Sequence, residues 1–262
     1  MRLALLLATL ASGVTLWSAD ALKSVLPSYS AAGIVNSATN TVEALAPNAI
    51  ATVYGANLSY DTGWLTAENT HSGMLPDTLA GIRVIVAGIA ASLYYVSPKQ
   101  INFLVPSNLQ PGDVTLLIAR EGTAGPQVTI TLHEAGPGFY ELEPGRIAAT
   151  HANGAVITRD RPAHAGEVVV LYGTGFGRTN PDVVSGLISM TAAQIQNLSA
   201  LQVSVDGKTV DRARIPYAGV TPGTPGLYQL NLKLPDQVAA NPEVRIAIGA
   251  STSPPAVHLD VR

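Results

Sequence analysis

The chain has 262 residues and a formal net charge of −3 at pH 7, with no run of lysine and arginine that could bind phosphates. We therefore expect no nucleic acid among its partners. Charged residues make up only 13% of the sequence, against roughly 25% in ordinary soluble proteins. There is no cysteine, which excludes disulfides and thiol chemistry and leaves core burial to stabilise the fold.

The first residues have the pattern of an export signal. Arg2 gives a positive start, residues 3–17 are uncharged, and Ala19 and Ala21 stand where a signal peptidase reads small residues. The apolar stretch is shorter than the roughly 20 residues that span a bilayer. A buried N-terminal strand or helix is the alternative. We predict a signal peptide at residues 1–21, an exported protein (secreted, cell-surface or periplasmic) and no membrane span in the mature chain.

Short apolar runs separated by glycine and proline predict β-strands in the rest of the chain. Hydrophobic residues reach 47%, while 24 glycines and 18 prolines provide frequent turns. Val128, Ile130 and Leu132 are separated by threonines, as in a strand with one face in a core. In the first half we predict strands at residues 50–54, 82–86, 93–96, 101–105, 113–119 and 128–132. Only residues 189–198 have a plausible helical pattern.

An internal repeat is the most informative feature of the sequence. Three blocks recur in the same order, at residues 50–58 and 168–176, 82–88 and 201–207, and 100–106 and 229–235. Such a repeat predicts two equivalent structural units. We expect an all-β chain with two tandem immunoglobulin-like β-sandwiches joined by a short β-hairpin segment. The offset between the copies grows from 118 to 129 residues, which indicates an insertion in the second copy, at residues 218–227.

The domain bounds follow from the repeat and from a turn between its copies. We place the first sandwich at residues 28–138, and the bridging hairpin with the second sandwich at residues 139–262. The hairpin is predicted from Asn153-Gly154, because both residues tolerate the positive φ of a tight turn.

The repeat also predicts which way the side chains point. Phe103 and Leu232 occupy the same place in their copies and are expected to lie in the two cores. Asn102 and Asn231 precede them and are expected to point away from the cores. Neighbouring residues of a strand face opposite sides, so both expectations depend on the same alternation.

Several motifs resemble those of a known family. They are Gly33-Ile-Val-Asn36, Tyr54-Gly-Ala-Asn-Leu58, Tyr94-Tyr-Val-Ser-Pro98, Gln100-Ile-Asn102, Pro137-Gly-Phe139, Leu171-Tyr-Gly-Thr-Gly-Phe-Gly177 and Gly226-Leu-Tyr-Gln-Leu-Asn231. With them the chain resembles the uncharacterised domain found at the C-termini of many large secreted acidobacterial proteins. Each half is similar to the IPT/TIG class of immunoglobulin-like domains. The resemblance implies a fold of two such halves and no particular activity.

The sequence contains no recognisable catalytic or metal-binding pattern. Gly173-Thr-Gly-Phe-Gly177 follows a strand as a nucleotide loop would, but Asn180-Pro181 stands where that loop needs a helix, which favours a tight turn. No Gly-x-Ser-x-Gly nucleophile motif is present. The histidines lack metal-ligand spacing, although a site assembled from distant loops stays open as an alternative. They are His71, His133, His151, His164 and His258. We expect no enzymatic activity, no cofactor and no metal.

The long loop at residues 59–78 is the best candidate for binding. It contains Tyr60, Trp64 and His71, and an exposed tryptophan beside a tyrosine suits stacking on sugars. The alternative is that Trp64 folds back over one end of the sandwich. We predict a non-catalytic extracytoplasmic module that interacts with an unknown extracellular protein or polysaccharide. The alternatives are a carbohydrate-binding module that uses this loop, and a subunit of a surface assembly.

Overall fold

The computed structural model describes residues 26–262, which form β-strands and four short 3-10 helices. The signal peptide predicted at residues 1–21 lies outside the described residues. The first sandwich contains β1 (Ser28–Asn36), β2 (Ile50–Ala56), β3 (Gly63–Trp64), β4 (Ile82–Val86), β5 (Ile89–Val96), β6 (Gln100–Leu104), β7 (Gly112–Arg120), β8 (Thr123–Ala124) and β9 (Val128–Leu132). The second part contains β10 (Gly138–Phe139), β11 (Glu141–Glu143), β12 (Arg146–Ile147), β13 (Ala149–His151), β14 (Val168–Thr174), β15 (Thr179–Asn180), β16 (Ala193–Ile195), β17 (Leu201–Val205), β18 (Lys208–Thr209), β19 (Tyr217–Val220), β20 (Tyr228–Lys233), β21 (Val244–Ile248) and β22 (Ser251–Thr252). The 3-10 helices are Val42–Ala44, Ala67–Asn69, Leu198–Ala200 and Arg212–Arg214.

One strand, β5, joins the two sheets of the first sandwich. Its first half pairs with β4 and its second half pairs with β6, so the strand continues from one sheet into the other. The strand order is β1-β2-β6-β5-β4-β7-β8, with β3 on β5 and β9 on β7. Each of the six strands expected in this half is present. The prediction of an all-β, immunoglobulin-like fold is confirmed.

The second sandwich repeats this strand order. The strands β14-β20-β19 correspond to β2-β6-β5, and β17-β21 correspond to β4-β7. The counterpart of β5 is divided into β18, which pairs with β17, and β19, which pairs with β20. The 3-10 helix Arg212–Arg214 lies between them. The extra residues of the second copy, expected at residues 218–227, are therefore shared between this break and a loop at residues 221–227.

The prediction of a helix at residues 189–198 is wrong. Ala193–Ile195 forms β16, which pairs with β19 and so extends the second sheet. Ala193 and Ile195 are buried and Gln194 is exposed, which is the period of a strand. The edge of β19 offers hydrogen bonds to this segment, whereas so short a helix would be marginal without tertiary support.

The hairpin predicted at Asn153-Gly154 forms, but it is part of the second sandwich. The Gly154 amide donates to the His151 carbonyl oxygen at 2.9 Å, and Gly154 has a φ of +83°. The first strand of the hairpin, β13, pairs with β14 along Ala149–His151. The hairpin does not bridge the two sandwiches as a separate unit, because its hydrogen bonds are made to the second sheet.

Each sandwich has its own hydrophobic core, and strand alternation decides which side chains enter it. Phe103 and Leu232 are fully buried, as predicted. Asn102 and Asn231 lie on the opposite sides of their strands and are half-buried. The first core extends from Tyr29 to Leu132, and the second extends from Ala135 to Val261.

The two sandwiches meet at a close backbone contact. The segment that leaves the first sandwich lies on the end of β14, where the Gly136 amide donates to the Gly175 carbonyl oxygen at 2.7 Å. Gly175 has a φ of +77°, and a Cβ there would lie 2.1 Å from the Gly136 carbonyl oxygen. The glycine at this place thus forms a turn and also lets a second backbone approach.

Buried polar side chains add to this junction. The Thr174 hydroxyl accepts from the Ile50 amide at 2.9 Å and donates to the Gly226 carbonyl oxygen at 2.7 Å. Asn48 Nδ2 donates to the Tyr228 hydroxyl at 2.9 Å. All five residues are buried, so water competes little for these bonds. They orient the second sandwich against the first.

The loop at residues 221–227 covers one end of the outer side of the first sheet. Ile50 and Leu104 face away from the first core yet are buried, in a separate cluster with Leu75. A Cβ at Gly226 would lie 2.4 Å from Leu104 Cδ1, so the loop backbone rests directly on this cluster. The other end of the outer side is left open.

Truncation of Phe103 tests the position of the first core. Phe103→Ala should lower the free energy of unfolding by about 3 to 5 kcal/mol, because it leaves a cavity at a fully buried place. Thr129→Ala, at an exposed position of β9, is the control and should change it by less than about 0.5 kcal/mol. Denaturant unfolding followed by circular dichroism measures both. Similar losses in the two variants would contradict the core described.

Two glycines with the same backbone conformation test the junction. Gly175 and Gly88 have φ of +77° and +79°, but no heavy atom lies within 4 Å of a Cβ placed at Gly88. Alanine should therefore destabilise the protein at both places, and by about 1 to 3 kcal/mol more at Gly175, where it must displace a packed backbone. Denaturant unfolding of the two variants gives the difference. Equal losses would show that the junction is loosely packed.

Candidate functional site

The open end of the outer side of the first sheet carries aromatic and amide side chains. Directly paired residues of antiparallel strands share a face. Trp64 pairs with Tyr95, Tyr95 pairs with Asn102, and Tyr54 pairs with Gln100. Because the alternate residues of these strands are buried in the first core, the five side chains point outward. We call Tyr54, Trp64, Tyr95, Gln100 and Asn102 the first aromatic–amide face.

Trp64 lies at the edge of this face, with 60% of its surface exposed. It belongs to β3, a two-residue strand that extends the sheet by pairing with β5. After it the chain turns, and Asn69 Nδ2 donates to the Trp64 carbonyl oxygen at 3.1 Å. The strand pairing therefore keeps Trp64 beside Tyr95, and its side chain does not close the end of the sandwich.

A β-bulge places two consecutive tyrosines on the outer side. The pairing of β5 with β6 shifts by one residue between Leu93 and Tyr95, so Tyr94 is an extra residue in the strand. The Tyr94 hydroxyl donates to the Pro225 carbonyl oxygen in the loop at residues 221–227. Burial raises the pKa of Tyr94, so its hydroxyl stays a neutral donor. One tyrosine thus contacts the second sandwich, and the other remains on the face.

The two amide side chains of the face are held in fixed positions. Gln100 Nε2 donates to Asn102 Oδ1 at 2.9 Å, and the Thr52 hydroxyl donates to the same oxygen at 3.1 Å. Within residues 26–262, Gln100 Oε1 and Asn102 Nδ2 have no protein partner. The face therefore presents one acceptor and one donor group to solvent.

Tyr54 completes the face on the side of β2. Its side chain is 44% exposed, and its hydroxyl donates to Asn40 Oδ1 at 3.2 Å. Aromatic rings at Tyr54 and Trp64 therefore flank the two amides. None of the five side chains is charged, so the face suits a neutral ligand with both apolar and hydroxyl-bearing surfaces.

Tyr60 and His71, the other residues predicted to bind, have different neighbours. The Arg120 guanidinium lies 4.0 Å above the centre of the Tyr60 ring. His71 forms a tight turn with Met74 and lines a groove of about 700 Å³ between the sandwiches. Tyr60, Trp64 and His71 thus have different neighbours, so the segment at residues 59–78 does not form a single binding loop.

No family model and no curated protein matches the chain. The similar solved structures include a protein of a mixed-linkage glucan utilization locus of Bacteroides ovatus, solved with a mixed-linkage heptasaccharide. It is 13% identical, with a TM-score of 0.32, over 84% of this chain and 43% of its own. A surface glycan-binding protein of Prevotella bryantii is 11% identical, with a TM-score of 0.28, over 86% of this chain and 40% of its own. Domains 5–6 of the S-layer protein SbsC are 11% identical, with a TM-score of 0.27, over 90% of this chain and 98% of theirs.

The chain therefore spans less than half the length of the first two of these proteins. Likenesses at such identities and TM-scores carry no information on a ligand of this chain. The resemblance to the acidobacterial family likewise stays a prediction.

Between residues 26 and 262, no helix has the length and apolar character needed to cross a membrane. In the same part of the chain, no three His, Cys, Asp or Glu side chains are grouped as ligands of a metal ion.

The face combines one predicted residue with four that were not predicted as a site. Trp64 was found because it is a tryptophan in a long connection between strands. For Gln100 and Asn102 a signal was present, since the repeat retains both and alternation points Asn102 outward. Tyr95 gave no such signal, because its orientation depends on a bulge that the alternation of apolar residues does not show.

Proposed function

We propose that the protein is a non-catalytic, extracytoplasmic module that binds a neutral polysaccharide across the first aromatic–amide face. The observation that carries the proposal is the placement of Trp64, Tyr95 and Tyr54 around the two fixed amides of Gln100 and Asn102. Aromatic rings stack on the apolar faces of sugar rings, and amides both donate to and accept from hydroxyls.

The shape of the face favours a polymer over a small sugar. From β3 to β2 the face crosses three strand spacings, or about 14 Å at roughly 4.8 Å each. It is open at the surface, whereas pockets for small molecules are concave and enclose most of the ligand. An oligosaccharide segment can lie along such a row, with its rings over the tyrosines and tryptophan.

The chemistry of the face also supports a role in binding without turnover. None of the five side chains of the face is a carboxylic acid, so the face lacks the pair of carboxyl groups with which most glycosidases cleave a glycosidic bond. We therefore infer that the face holds its ligand and leaves it unchanged.

Binding to a panel of polysaccharides tests the proposal. Affinity electrophoresis of the full chain in mixed-linkage β-glucan, xyloglucan, arabinoxylan and glucomannan should show retardation by at least one of them. Trp64→Ala and Tyr95→Ala should each weaken this binding at least about tenfold, or about 1.4 kcal/mol. Tyr60→Ala is the matched control, because Tyr60 is similarly exposed but lies beside Arg120 instead of on the face.

Three results would contradict the proposal. The first is the absence of retardation in all four polysaccharides. The second is an equal loss in Tyr60→Ala and Trp64→Ala, which would assign binding to the segment at residues 59–78 instead. The third is concentration-dependent growth of particles in light scattering without polysaccharide binding, which would favour the surface-assembly alternative.

A further inference from the structure

The second sandwich carries the same constellation of outward side chains. Tyr172 pairs with Gln229, as Tyr54 pairs with Gln100 in the first sandwich. Tyr217 pairs with Asn231, as Tyr95 pairs with Asn102. We call Tyr172, Tyr217, Gln229 and Asn231 the second aromatic–amide face.

The amides of the second face have the same arrangement as those of the first. Gln229 Nε2 donates to Asn231 Oδ1 at 2.9 Å, the same distance as between Gln100 and Asn102. In the described part of the chain, Gln229 Oε1 and Asn231 Nδ2 have no protein partner. Both sandwiches therefore present the same acceptor and donor groups on the same face of the corresponding strand.

The two copies of the repeat differ in their core residues but agree in the residues of their outward faces. In the third repeated block, core positions differ, with Phe103 in the first copy and Leu232 in the second. The outward Gln and Asn are identical in both copies, as are Tyr54 and Tyr172, although these side chains are only partly buried. Partly exposed polar and aromatic residues that are retained while core residues change indicate binding.

The second face also differs from the first in ways that affect its affinity for a ligand. No tryptophan takes the place of Trp64, and the Tyr217 hydroxyl donates to the Val220 carbonyl oxygen at 2.7 Å. Val170 replaces Thr52, so Asn231 lacks the hydroxyl donor that Asn102 has. A smaller aromatic area should give the second face the lower affinity of the two.

We propose that the second aromatic–amide face is a second site for the same class of neutral polysaccharide, so that one chain is bivalent. This inference rests on the proposed function of the first face. The buried hydrogen bond from the Ile50 amide to the Thr174 hydroxyl joins the two sandwiches and helps to hold the two faces in a fixed relation. Binding at one face then raises the effective concentration of polymer at the other, and affinity for long chains exceeds affinity for short ones.

Two double variants and one short ligand test the second site. The hexasaccharide derived from whichever panel polysaccharide binds is titrated into the full chain by isothermal calorimetry. The unmodified chain should bind two hexasaccharides. Tyr172→Ala with Gln229→Ala should bind one, and so should Tyr54→Ala with Gln100→Ala. Each double variant should also bind the intact polysaccharide at least about tenfold more weakly.

A further variant and a measurement of folding distinguish the loss of the second site from the loss of the fold. Gln229→Glu keeps the size of the side chain and adds a charge to a partly exposed position, so it should fold and should still lose the second hexasaccharide. Thermal unfolding confirms the fold of each variant before titration.

The outcomes distinguish the two proposals. One hexasaccharide per unmodified chain, with no change in the Tyr172/Gln229 variant, would overturn the second site and leave the first intact. Absence of binding by the unmodified chain would overturn both. Loss of binding in the Tyr172/Gln229 variant alone would retain the second site and overturn the first.

Discussion

The contact of the loop at residues 221–227 with Ile50 and Leu104 is the interaction on which the arrangement of the molecule depends. These two side chains point away from the first core, and the backbone of Gly226 lies directly against them. Covering them removes apolar surface from water, which favours the docking of the second sandwich. Because Gly226 brings its backbone directly against Leu104, the contact also fixes how far the second sandwich extends over the sheet.

The same strands also contribute the side chains of the open part of the sheet. Residues that alternate along β2 and β6 contribute to the first core on one side, and on the other side either to the junction or to the aromatic–amide face. Tyr94 and Tyr95 show this division most directly, since the bulge sends one hydroxyl to Pro225 and leaves the other ring on the face. The junction thus borders the proposed binding surface and supports its edge.

Much of the fold could be predicted because it depends on local alternation and on the repeat. The burial of Phe103 and Leu232 and the outward direction of Asn102 and Asn231 follow from the two-residue period of strands. The site could be predicted only in part. A two-residue strand such as β3 has no period of its own, and the partners of Trp64 are set by pairing across the sheet. In the sequence, only the glycines indicated the junction, because the close approach of two backbones involves residues far apart in sequence.

A polysaccharide that lies on the first aromatic–amide face should change the side-chain amide and indole resonances of that face. In a nitrogen-15 labelled full chain, the Nδ2 protons of Asn102 and the indole proton of Trp64 should shift together during titration with the bound oligosaccharide. They should saturate with the affinity measured calorimetrically for the first face. Shifts confined to the neighbourhood of Tyr60 or His71, with Asn102 and Trp64 unchanged, would show that the polysaccharide binds elsewhere.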